Sequence, residues 1–160
     1  MPVDLFDLAD ALPRDARLMG IDLGTKTIGL ALSDISLTIA TPLETLVRTK
    51  FTADATQLLA LVERHGVRGL VLGYPLNMDG TRGPRAQASE SFARNMAGLS
   101  DIPIALWDER MSTAAVTRTL IEADASRRRR SEVVDKMAAS FILQGALDRL
   151  GYGRHEGGAD

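Results

Sequence analysis

The stretch that most constrains this chain runs Leu18-Met19-Gly20-Ile21-Asp22-Leu23-Gly24-Thr25-Lys26-Thr27-Ile28-Gly29-Leu30-Ala31-Leu32. Two short apolar runs joined by Gly24-Thr25-Lys26-Thr27 predict a β-hairpin. Inside the first run stands a carboxylate, Asp22, which strand alternation points inward with Gly20 and Gly24. An anion there costs several kcal/mol unless it is paired or meets a cation. The flanking glycines remove side chains from the same face and leave room beside it. Two readings follow: Asp22 pairs with Lys26 or caps the turn, or it floors a cavity that takes a metal ion.

Composition narrows the second reading. With 160 residues and 45% hydrophobic content the chain is expected to form one domain with a full core. It has no cysteine and only His65 and His155. Disulfide frameworks, thiolate chemistry and multi-histidine zinc centres are therefore excluded. Any metal must be held mainly by carboxylates, which favours magnesium or manganese. The formal net charge of -2 provides no global positive field, so a polyanionic partner needs a local basic patch. Apolar runs are too short to span a bilayer. The acidic N-terminus MPVDLFDLADALPRDA lacks the features of a signal peptide, and a cytoplasmic location is expected.

Along the chain, residues 4–11 suggest one or two amphipathic helical turns stopped by Pro13, within an extension (1–16) expected to lie outside the main fold. Strands are expected near 18–23, 27–33 and 37–48, with Pro42 marking the third as an edge. A helix follows at about 52–65, where His65 has a capping or cationic role at the end. A buried strand at 68–73 leads into the loop 74–81. Pro84 opens a helix over 84–98 with Phe92 and Met96 on its apolar stripe. A strand at 104–107 ends in Asp108-Glu109-Arg110. Ser112 can cap a helix reaching about Ala123, and Ser131 a last helix reaching Leu150. The tail 151–160, rich in glycine and charge, is expected to be disordered. Three strands followed by helix-strand-helix-strand-helix-helix imply an α/β mixed sheet with helices packed on it.

Three acids stand out in this frame. Glu109 lies just beyond a strand, where sites gather in open α/β sheets. Alternation groups Ala105, Trp107 and Glu109 against Ile104, Leu106 and Asp108; the period alone does not say which acid points to the site, and Glu109 is the favoured ligand with Asp108 as a supporting or loop residue. Asp135 shares a helix face with Ala138, Ala139 and Ile142. There it either joins a buried ion pair with a loop arginine or faces the site. Converging with Asp22, the set describes a divalent-cation site. Its natural chemistry is phosphodiester hydrolysis by paired ions roughly 3.5–4 Å apart. Lys26 in the hairpin turn, Asn77 in the loop after the fourth strand, Arg110, and Arg127 and Arg128 of the run 127–130 are candidate substrate contacts. Each also has a plainer reading as a turn or solvated loop residue. Trp107 reads as core rather than as a stacking platform.

IDLGTKTIGLALSD, GYPLNMDGT, WDERMST and VVDKMAASFILQ, in that order, resemble the YqgF family. That family is also called RuvX or Holliday-junction-resolvase-like, and is now described as a pre-ribosomal-RNA nuclease. The resemblance covers about residues 17–150. It implies a ribonuclease-H-like fold: a five-stranded mixed sheet, the first three strands antiparallel, with helices on both faces. It also implies metal-dependent cleavage, with the acids at Asp22, Glu109 and Asp135, and a link to maturation of the 5′ end of small-subunit ribosomal RNA. For residues 1–16 and the arginine run it offers no firm role.

The leading expectation is a Mg²⁺- or Mn²⁺-dependent endonuclease, a hydrolase acting on structured RNA such as the precursor of 16S rRNA. A Holliday-junction-type DNA resolvase and a non-catalytic RNA-binding assembly factor are the alternatives. A two-domain sugar-kinase or Hsp70-type ATPase also opens with an Asp-x-Gly-Thr hairpin, but this chain has length for only one such domain. Monomer and homodimer both stay open.

Overall fold

The structure is a computed structural model and describes residues 2–111 and 137–151. In chain order the elements are α1 (Leu5–Asp10), β1 (Arg17–Leu23), β2 (Thr27–Ser33), β3 (Ala40–Val47), α2 (Phe51–Arg64), β4 (Val67–Tyr74), α3 (Pro84–Ala97), β5 (Ile104–Asp108) and a short 3-10 turn, Glu109–Met111. Residues 137–151 are helical and are called α4.

The five strands form one sheet in the order β3-β2-β1-β4-β5. The glycine-led turn brings β2 back antiparallel to β1, with Asp22 opposite Gly29 and Gly20 opposite Ala31. β3 continues antiparallel on β2. β4 and β5 arrive through helical crossovers and run parallel to β1 and β4. This is the five-stranded mixed sheet, first three strands antiparallel, that the family resemblance implied. β3 is an edge strand, where Pro42 removes no ladder bond from the interior, and the register shifts beside it.

Period-two alternation sends the two halves of each strand to different layers. Met19, Ile21, Leu30, Leu70 and Leu72 meet Leu58 and Val62 of α2 and Phe92 and Met96 of α3. An edge-to-face contact between Phe51 and Phe92 (5.7 Å, 83°) ties the two helices together. Each fully buried large aliphatic side chain here contributes about 1.5–3 kcal/mol. On the other face Leu18, Ala31, Val71, Ala105 and Trp107 meet α1 and α4 through Leu8, Ala139, Ile142, Leu143 and Leu147.

Residues 5–10 are not the detached extension expected from the sequence. Asp4 caps α1 by accepting from the amides of Phe6 (3.0 Å) and Asp7 (3.4 Å). Leu8 and Ala9 then sit in the core of the α4 layer. The Val3 amide also donates to the Ile104 carbonyl (2.8 Å), which covers part of the open edge of β5. Leu5, Leu8, Ala9 and Leu12 fall at i, i+3, i+4 and i+7, a stripe that demands burial. Among the described residues no helix is long and apolar enough to cross a membrane. The expected helix over 112–123, the start of the one at 131 and the tail after 151 lie outside the described residues.

Candidate active site

Asp22 lies near the end of β1 on the α4 face, and it is 3% exposed. Its cross-strand neighbour on β2 is Gly29. On β4 the register Ile21–Leu72 puts Gly73 beside it one step later. A carboxylate in the middle of a sheet thus has a glycine on either side, and neither of those two residues puts a side chain of its own beside it.

Glu109 reaches the same place from β5. Ala105 and Trp107 face α4, and the same alternation carries Glu109, at the start of the 3-10 turn, to that face. It is 8% exposed. A Cβ added to Gly73 would lie 3.2 Å from Glu109 Oε2 and 2.6 Å from Ile142 Cδ1. The Glu109 carboxylate therefore rests over β4, one strand spacing of about 4.8 Å from β1. Gly73 is the cradle that admits it.

The helix closing this layer also needs a missing side chain. A Cβ on Gly20 would lie 2.7 Å from both the Ala139 carbonyl oxygen and Leu143 Cβ, so α4 packs directly on the β1 backbone two residues before Asp22. Gln144 fixes the helix sideways: it accepts from the Ala40 amide (2.8 Å) and donates to the Thr38 carbonyl (2.9 Å). Ala138, Ala139 and Ile142, the helix neighbours named for Asp135, are all buried. Asp135 itself, with Arg127 and Arg128, lies outside the described residues. Among the described residues no cluster of three or more acids or histidines is placed to hold a metal.

Asp108 points away from Glu109 and takes a different role. The Arg110 guanidinium grips its carboxylate at 2.7–3.1 Å. That pairing holds the Asp108 pKa below the usual carboxylate range and pushes Arg110 up. Arg110 also donates to the Met78 carbonyl (3.3 Å), so it braces the loop after β4 against the end of β5. The loop is tightly knit. Asn77 donates its side-chain amide to the Thr81 hydroxyl (2.9 Å), and Thr81 donates hydroxyl and amide to Asp79 (2.6 and 3.0 Å). Asn77 and Arg110 thus both belong to this loop network, and the bonds they make shape it. The tip, Met78, is 87% exposed. Lys26 is exposed at the hairpin turn.

Two cations were not legible in the sequence. Arg48, just after β3, donates to the Gly24 carbonyl (2.7 Å), and Arg85, in the first turn of α3, donates to the Leu23 carbonyl (3.4 Å). Both sit at the end of β1, immediately beyond Asp22. Their positions depend on strand order, and no local pattern announces them.

Residues 16–149 match the model of the family RuvX, described as Holliday junction resolvase. The chain is 67% identical over 142 residues to a protein of Paramagnetospirillum magneticum, covering 89% of this chain and 92% of that one. It is 56% identical over 158 residues to one of Rhodospirillum rubrum, covering 98% of each. Both relatives carry the provisional name of pre-16S rRNA nuclease. Among solved structures, Thermus thermophilus RuvC in complex with a Holliday junction substrate superposes with a TM-score of 0.52 at 13% identity, covering 85% of this chain and 96% of RuvC. That likeness is one of fold, and the fold is the ribonuclease-H-like sheet that RuvC shares.

Proposed function

Because the chain belongs to the RuvX family, we propose that it is a metal-dependent endonuclease that hydrolyses phosphodiester bonds in structured RNA, with the 5′ end of the 16S rRNA precursor as the foremost substrate. The carrying observation is the pair Asp22 and Glu109: two carboxylates, from strands far apart in sequence, buried on one face at one end of the sheet with Gly73 between them. Burying two like charges together is favourable only where positive charge or donors answer them. An oxygen-only set suits a small hard dication, Mg²⁺ or Mn²⁺.

Asp22 and Glu109 would hold such ions together with Asp135, whose helical spacing matches the buried Ala138, Ala139 and Ile142. When bound, the ions activate water and stabilise the leaving oxygen. The chain's own contribution is placement. Asp22 is fixed by the ladder of β1, and Glu109 is held over Gly73 by the 3-10 turn. The Arg110 strut steadies the loop after β4, and Lys26, with Arg110, Arg127 and Arg128, would meet phosphates. The setting proposed is the cytoplasm.

The test is cleavage of precursor 16S rRNA in Mn²⁺ by the protein and by Asp22→Asn, beside a four-way DNA junction. Cleavage of the RNA by the protein and loss of it in the variant support the reading. Equal cleavage by both assigns the activity to a contaminant, and preference for the junction replaces the RNA substrate with branched DNA.

A further inference from the structure

The net charge of -2 leaves a nucleic acid without long-range attraction, so whatever holds it must be concentrated. The end of β1 carries such a concentration. Arg48 and Arg85 bond consecutive carbonyls, Gly24 and Leu23, from opposite sides of the strand: Arg48 comes from the β3 side and Arg85 from the α3 side. Lys26 stands exposed at the turn between them. The neighbouring arginines Arg82 and Arg110 each pair with a carboxylate at 2.7 Å, Glu90 and Asp108. Among the described residues neither Arg48 nor Arg85 forms an ion pair.

The three cations are held by the fold. The Arg48 amide donates to the Lys26 carbonyl (2.9 Å), locking the β3 end to the hairpin tip. Next to it, Thr49 donates its amide (3.0 Å) and hydroxyl (3.0 Å) to the buried Asp54. Arg85 follows Pro84, which fixes the first turn of α3. A guanidinium has five N–H donors. One carbonyl bond each leaves Arg48 and Arg85 with donors to offer, in orientations already paid for. Gly24 lies about 7 Å of extended chain beyond Asp22.

We propose that Arg48, Lys26 and Arg85 form a phosphate clamp across the tip of the first hairpin, gripping the nucleic-acid backbone beside the bond to be cut. The clamp rests on the nuclease reading of Asp22 and Glu109 and adds the subsite that orients the strand entering it. It contributes affinity without sequence preference, since it meets only phosphates. Its signature is a salt dependence, because each phosphate neutralised releases counterions.

The experiment measures binding of a fluorescein-labelled RNA hairpin with a single-stranded flank, by anisotropy in Ca²⁺, over a KCl series. The variants are Arg48→Gln, which keeps an N–H for the Gly24 carbonyl, Arg85→Ala, their combination, and Arg82→Ala as the carboxylate-paired neighbour. The slope of log K against log salt is expected to fall by about 0.7–0.9 per clamp arginine removed and to stay unchanged in Arg82→Ala. Where cleavage is measurable, KM rises at least tenfold in the double variant while kcat at saturation stays within twofold. Unchanged slopes, or a loss of kcat at constant KM, would overturn the clamp. Salt-dependent binding that needs both arginines, in a protein that never cuts, would retain the clamp and sink the nuclease reading.

Discussion

The two faces of the sheet are made by the same strands and built to opposite rules. Toward α2 and α3, β1 presents Met19, Ile21 and Leu23, and β4 presents Leu70 and Leu72. Toward α1 and α4 the same strands present Leu18, Gly20 and Asp22, and Gly69, Val71 and Gly73. The first face is a packed hydrocarbon layer whose role is stability. The second trades side-chain volume for a close helix at Gly20 and a seat for the Glu109 carboxylate at Gly73, near the strand ends where the acids collect. A fold can thus keep its main core intact while one end of the other layer is given to polar groups.

The sharpest way to break that contrast is Asp22→Asn. Removing a partner that merely supports a metal ligand costs 10–100-fold, so loss of this carboxylate is expected to lower cleavage by more than about 100-fold. The melting temperature should change little, while the Mg²⁺-dependent rise in melting temperature disappears. Retained activity would make the second face purely structural.

Next in size is the opposite trade, Leu72→Ala. Its cost should be about 2–5 kcal/mol in urea unfolding, with activity per folded molecule preserved. Gly73→Ala sharpens the comparison, because its methyl would press on Ile142 and on the Glu109 carboxylate at 3.2 Å. About 1–3 kcal/mol of stability and at least tenfold in kcat should go together. If stability falls and kcat holds, Glu109 is not positioned by that cradle.

The smallest effect concerns the rim. Arg110 keeps the Asp108 pKa below its ordinary value. The stabilisation is therefore full above the ordinary carboxylate pKa, near pH 4, and is lost as pH falls through the depressed folded value. The pair is partly exposed, so its worth is at most about 1 kcal/mol. Asp108→Asn should flatten that acid limb in a pH series of thermal melts, and an unchanged limb would show that the pair adds nothing to stability.

Much of this was legible in the sequence because it depends on local period. Alternation along 104–109 separated Glu109 from Asp108, and the structure keeps them apart. The same period put Asp22 on the face of Gly20. What alternation cannot supply is register, so Gly29 and Gly73, which stand beside Asp22 on the two neighbouring strands, carried no signal. Arg48 and Arg85 were hidden for the same reason: one follows an edge strand and the other opens a helix, and only the strand order brings them to one carbonyl pair. The burial of α1 was a different miss. Its amphipathic turns were readable, but a segment this short, stopped by Pro13, does not itself show which layer takes its stripe, and 1–16 reads as lying outside the main fold.

Trp107 turns the second face into an instrument. It is the chain's single tryptophan, buried against α4 and two residues before Glu109. Intrinsic emission therefore originates from one spot in the wall of the acid pair, with no label and no competing indole. Ions or oligonucleotide settling at that end of the sheet can be titrated by light alone.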